Sequence, residues 1–151
     1  MLVISHRGNL EGPDPALENH PNQIDLCISK YSMPVEVDLR IINGYYWLGH
    51  DEPEYKIDYE WLQLRSNFLW IHCKDIETLC TLRNDSNPQR LHYFWHQEDD
   101  YTLTSKGYIW AYPGKEMPIP TFSIAVMPEI HCNDYSQYHG ICTDYPEQFK
   151  I

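Results

Sequence analysis

The chain has 151 residues, with 22 Asp and Glu against 11 Lys and Arg, for a formal net charge of −11. That length suits one domain spanning 1–151, and a hydrophobic fraction of 42% is enough for a core. The acidity excludes a duplex-coating nucleic-acid binder, which needs Lys and Arg in excess, but leaves room for a small anion met by local cations.

The elements read as follows. A strand is expected at 2–5. A helix follows over 22–31, with Ile24, Cys27, Ile28 and Tyr31 on one face. Strands are expected at 35–42 and 44–48, a short helix at 58–64 and a strand at 68–73. A helix over 75–83 has Asp75 as its N-cap. Strands at 91–96, 108–112, 122–127 and 140–143 close the chain with thin connections. Strands alternating with helices imply a mainly parallel sheet. A complete eight-unit α/β barrel takes about 250 residues. The expected fold is therefore a shortened, TIM-like α/β barrel, stripped of parts or closed by a second copy in a homo-oligomer.

No run approaches the roughly 20 apolar residues of a membrane-spanning helix. The most apolar uncharged stretch, 117–128, is short and broken by prolines. The start, MLVISHRG, lacks a basic region ahead of a long apolar one and does not read as a signal peptide. Cys27, Cys73, Cys80, Cys132 and Cys142 are odd in number and form no CxxC, which favours reduced thiols over a disulfide framework or zinc site. The expectation from these features is a soluble cytoplasmic protein.

Strand side chains alternate between faces, so phase tells which polar residues share a surface. Glu36, Asp38 and Arg40 point one way, and Val35, Val37 and Leu39 the other. Trp70, His72 and Lys74 share a phase, as do His92, Phe94 and His96, and Ile4 and His6. Several strands thus offer polar groups toward their C-terminal ends, where active sites of parallel α/β proteins sit. Glu36 and Asp38 stand about 7 Å apart at their Cα atoms, close enough to converge on one divalent cation. Oxygen ligands suit Mg²⁺, Ca²⁺ or Mn²⁺.

Other motifs accompany this pair in a fixed order. Ser5-His6-Arg7-Gly8 follows the first strand, then come Glu18-Asn19, Glu36-Val37-Asp38 and Gly49-His50-Asp51. Gly140-Ile141-Cys142-Thr143-Asp144-Tyr145-Pro146 ends the series. The ordered set resembles the glycerophosphodiester phosphodiesterase family, within the phosphatidylinositol-phospholipase-C-like phosphodiesterases. The resemblance implies an α/β barrel and metal-assisted cleavage of a small phosphodiester substrate. It makes His6 and His50 the general acid and base, Glu36 and Asp38 metal ligands, and Arg7 a phosphate contact. Where the family carries Glu-x-Lys, this chain has His72-Cys73-Lys74. Lys74 matches as a second phosphate contact, and His72 stands in the position of the third metal ligand.

The residues suit such chemistry on their own account. Cleaving a phosphodiester requires one proton to leave the nucleophile and one to reach the leaving oxygen, work that histidines do near neutral pH. Arg7 and Lys74 add charge-assisted hydrogen bonds to an anion. His92 and His96 share the inward phase of their strand, which would let them extend the site, but they are not counted among its expected residues. Asp144 is expected to fix the last strand–loop turn. An alternative reading is a catalytically weak homologue that binds a phosphorylated small molecule or a partner protein. Another is a zinc hydrolase using His6, His72 and His96.

Overall fold

The computed structural model describes residues 1–87, 91–115, 117, 120–131 and 134–149. The elements among them are β1 (Leu2–His6), α1 (Pro21–Tyr31), β2 (Val35–Ile42), β3 (Tyr45–Leu48), β4 (Tyr55–Ile57), α2 (Tyr59–Leu64), β5 (Leu69–Cys73) and α3 (Ile76–Arg83). They continue with β6 (Tyr93–Trp95), β7 (Tyr101–Leu103), β8 (Ile109–Ala111), β9 (Ser123–Val126), α4 (Pro128–His131) and β10 (Gly140–Thr143), and end in a 3-10 helix, Pro146–Phe149.

Local chemistry starts the helices where it should. Pro21 opens α1, since its fixed φ and missing N–H suit a first turn. The carboxylates of Asp58 and Asp75 accept the N–H groups of Trp61 and Thr78 and cap α2 and α3.

All ten described strands belong to one mixed sheet. β6, β5, β2, β1, β10, β9 and β8 run parallel in that order. β3, β4 and β7 add antiparallel pairings. The sheet curls into a half-barrel. Phe94 on β6 and Trp110 on β8, from opposite arms, bring their rings to 4.6 Å across the concave side. The arms meet at β6 and β7 without a ladder. Ser105 N–H donates to the Tyr93 carbonyl at 2.8 Å, and the Thr102 hydroxyl donates to the Trp95 carbonyl at 2.9 Å.

This corrects the expectation of a shortened, TIM-like α/β barrel. The described α-helices are short, at 11, 6, 8 and 4 residues, and only the last follows β6. The physical cause is local. Gly107, Pro113, Gly114 and Pro120 interrupt the segment between β7 and β9 and deny a helix room to grow. Antiparallel β3, β4 and β7 replace helical returns. β4 and β7, three residues each, are too short to show a period in the sequence.

Two apolar layers flank the sheet. Val35, Val37, Leu39 and Ile41 of β2 pack with Ile24, Cys27, Leu62 and Leu82 beneath the helices. Ile4, Trp70, Phe94, Trp110, Ile124, Val126 and Cys142 fill the concave side. Trp110 is thus core. Cys27, Cys73 and Cys142 are buried thiols and Cys80 is an exposed one, while Cys132 lies outside the described residues. No helix among the described residues is long and apolar enough to cross a membrane.

Candidate functional site

Strand register assembles the polar cluster. His6 pairs with Glu36 across β1 and β2, and Asp38 pairs with His72 across β2 and β5. Alternation then turns Glu36 and Asp38 to the concave side while their valine and leucine neighbours face the helices. Glu36, Asp38 and His72 each offer one ligand atom, all within 4.8 Å of one another.

Asp38 is fully buried and is the most heavily partnered residue here. Its backbone N–H donates to Asn19 Oδ1 at 2.9 Å, and Asn19 Nδ2 donates back to Asp38 Oδ2 at 2.9 Å. Arg7 Nε stands 3.1 Å from Oδ2, and Lys74 Nζ stands 3.2 Å from Oδ1. Burial alone would raise this carboxyl, but His72, Lys74 and Arg7 hold it well below the usual range. Glu36 behaves oppositely: burial and the charge of Asp38 push it up. Oδ1 of Asp38 nevertheless accepts no well-aligned hydrogen bond. A buried carboxylate oxygen with no aligned donor, beside a second carboxylate and an imidazole, suits a divalent cation held by Glu36, Asp38 and His72.

His6 is buried and doubly engaged. Its Nδ1 meets Asp144 Oδ1 at 2.7 Å, and its Nε2 lies 3.9 Å from Glu36 Oε2. Burial would lower the ring, but the bond to Asp144 and the charge of Glu36 outweigh it and leave the pKa raised. Asn9 Nδ2 donates to the same Asp144 oxygen at 2.8 Å and to Glu18 Oε1 at 3.0 Å. Glu129 accepts from the Thr143 hydroxyl at 2.8 Å, fixing the end of β10.

His50 sits at the rim, with its Nδ1 2.7 Å from Asp51 Oδ1. Burial, Arg7 and Lys74 lower its pKa against the opposing pull of Asp38 and Asp51. The Arg40 guanidinium donates to the carbonyls of Gly49, His50 and Asp51 and holds this loop.

The sequence expectations meet different ends here. Glu36, Asp38, His72, His6 and Lys74 come together. Arg7 also reaches the cluster, but its backbone is left-handed, with φ 54°, and its side chain turns to Asp38 and Glu18. His50 lies nearby without touching the carboxylates. His96 contributes its backbone carbonyl to His72 Nε2 at 3.1 Å, while its ring bonds Asp99. His92 packs at a tilt against Trp70 and bonds Thr104, so it belongs to the concave core and not to the ligand cluster. Asp144 does more than shape a turn, because it grips His6. Asn9 carried no motif signal; only its place one turn beyond β1 hints at it.

Comparisons of the chain with protein families, curated proteins and solved structures give no match.

Proposed function

We propose that the chain is a metal-dependent phosphodiester hydrolase of glycerophosphodiester-like substrates. The observation that carries this reading is the convergence of Glu36, Asp38 and His72 beside His6 and Lys74, where the C-terminal ends of β1 and β5 meet the first half of β2. The ordered motifs from His6 to Asp144, with their likeness to the glycerophosphodiester phosphodiesterases, support the same reaction class.

A divalent cation bound there would supply charge stabilisation to the phosphoryl oxygens. The residues do the rest. His50, lowered toward the neutral form, suits the base that takes a proton from the attacking hydroxyl. His6, raised and bonded to Asp144, suits the acid that gives one to the departing alcohol oxygen. One P–O bond forms and one breaks, and the proton balance closes across the two rings. Lys74 stands at the cluster's edge, where a phosphate oxygen would compete with Asp38 for its ammonium.

The binding-only reading has one observation in its favour. His72 stands where a third carboxylate would complete the ligand set, which leaves less negative charge to hold a catalytic cation.

The test is a panel of phosphodiesters run with Mg²⁺, Ca²⁺ and Mn²⁺, with His6→Ala and Glu36→Ala as controls. Hydrolysis that chelator abolishes and that falls by about 100-fold in His6→Ala is expected. No turnover with any metal would leave the binding reading.

A further inference from the structure

The third ligand position of the cluster carries a nitrogen, and the surroundings settle which one. His72 Nε2 lies 3.1 Å from the His96 carbonyl oxygen. A carbonyl only accepts, so Nε2 carries the proton and, in the neutral ring, Nδ1 holds the lone pair. Nδ1 faces Asp38 Oδ1 at 3.3 Å and Glu36 Oε1 at 3.8 Å. With the ring neutral, three acceptors then share one small space; Lys74 Nζ reaches Asp38 Oδ1 alone, and a proton on His72 or a metal cation relieves the rest.

The ring is not free to turn away. It stacks on Phe94, with centroids 5.1 Å apart and planes inclined by 9°. Turning it over would replace Nε2–H by Cε1–H against the His96 carbonyl, and the other neutral tautomer would aim a lone pair there. A carbonyl that fixes a histidine tautomer from behind is the common support of a metal-bound imidazole.

The charge around the cluster argues for a particular kind of cation. Hard ions such as Mg²⁺ and Ca²⁺ are held by oxygen ligands and their negative charge. Here one of three protein donors is a neutral nitrogen. Of the two carboxylates, Asp38 is already flanked by Lys74 Nζ at 3.2 Å and Arg7 Nε at 3.1 Å. A purely electrostatic ion finds much of its attraction cancelled. An ion that gains from nitrogen coordination does not depend on that charge alone, and imidazole favours the first-row transition series.

We propose that this centre selects a first-row transition cation over Mg²⁺ and Ca²⁺, and that His72 Nδ1 is the selecting ligand. The proposal rests on the metal cluster of the phosphodiesterase reading, but not on hydrolysis.

The experiment uses the full chain, stripped with chelator and titrated with Mn²⁺, Mg²⁺ and Ca²⁺ by calorimetry. The wild type is compared with His72→Glu and His72→Gln, each checked for folding by circular dichroism. One Mn²⁺ per chain is expected, bound at least about tenfold more tightly than Mg²⁺ or Ca²⁺. His72→Glu restores a third carboxylate and should bring the Mn²⁺ and Mg²⁺ affinities to within a few-fold of each other. His72→Gln should weaken Mn²⁺ by about tenfold or more. Electron spin-echo modulation on the Mn²⁺-loaded wild type should show a directly bound imidazole nitrogen, and His72→Gln should lose it.

Mg²⁺ or Ca²⁺ binding as tightly as Mn²⁺ overturns the proposal. So does nitrogen coupling that persists in His72→Gln, which would assign the nitrogen to His6. The two readings separate cleanly. Tight Mn²⁺ with the nitrogen signal but no phosphodiester turnover removes the hydrolase and keeps the selectivity. Turnover supported by Mg²⁺ without nitrogen coupling does the reverse.

Discussion

His6 Nδ1 and Asp144 Oδ1 lie 2.7 Å apart, joining two residues 138 positions distant in the chain. Parallel pairing of β1 with β10, with Ser5 opposite Thr143, brings the two strand ends together. The pair is buried, and each partner favours the charged form of the other: His6 is raised and Asp144 is lowered against the opposing effect of burial. Asp144 therefore fixes both the tautomer and the protonation of the ring that faces Glu36. In Asp144→Asn the His6 pKa should fall, since the charge that raised it is gone. If His6 is the acid, the alkaline limb of the kcat profile moves to lower pH and kcat drops by about 100-fold. Proton NMR of the His6 ring and the pH–rate profile check both halves. An unchanged His6 pKa would sink the assignment.

Much of this site was legible in the sequence for one reason, the period of the strand. Glu36 and Asp38 alternate with Val35, Val37 and Leu39, and the two sets indeed face opposite sides of β2. The same logic put His72 and Lys74 in one phase, and the structure then sets that face beside Asp38. What the period cannot supply is which strands adjoin. The contact of His6 with Asp144 depends on β10 returning beside β1 after the whole chain has been laid down. The fold class failed for a related reason: a parallel alternation fits a closed barrel or an open curl, and the missing helices of the second half decide between them. Arg7 shows a third kind of limit. Its left-handed backbone and its turn toward Glu18 follow from the packing of the β1–α1 loop, not from the His-Arg-Gly motif.

Asn19 presents Asp38 with both ends of its amide, each at 2.9 Å, from a buried left-handed position with φ 59°. Asn is among the few side-chain-bearing residues at ease in that conformation. Asn19→Ala removes two bonds and leaves Asp38 N–H and Oδ2 short of partners. Stability should fall by about 2–4 kcal/mol in a denaturant titration. Affinity for a divalent cation should fall by about 10-fold or more, because outer groups orient metal ligands. Cation binding by Asn19→Ala equal to the wild type would mean that Asp38 holds its place without it.

The His50 loop depends on Gly49. Its φ of +146° suits glycine, and a Cβ there would stand 2.0 Å from the Glu52 carbonyl oxygen. Gly49 N–H also donates to the Asp38 carbonyl at 3.1 Å, tying the loop to the ligand strand. Gly49→Ala must displace the backbone, at a cost of about 1–3 kcal/mol. Amide exchange across 49–54 should quicken while that of β2 stays slow. Arg40→Met, which removes the donors to three loop carbonyls, should produce the same pattern without the backbone clash. Protection of the loop equal to that of the wild type in both variants would show that neither group holds His50.

His92 sets an acid limit on stability. It is buried against Trp70, its Nε2 lies 2.7 Å from the Thr104 hydroxyl, and burial together with Lys106 lowers its pKa to about 3. The unfolded chain binds this proton near pH 6.5, whereas the folded chain does so only near pH 3. Unfolding therefore takes up a proton between those values, and stability declines as pH falls through that window. The slope from this one group is at most about 1.4 kcal/mol per pH unit. His92→Gln keeps a partner for Thr104 but cannot titrate. Urea denaturation at pH 7, 6, 5 and 4 should give a wild-type curve that drops more steeply than that of His92→Gln. The gap between the two should narrow by about 2–3 kcal/mol toward pH 4, with the variant the less stable protein at pH 7. Parallel curves would show that His92 carries the same proton in the folded and unfolded chains.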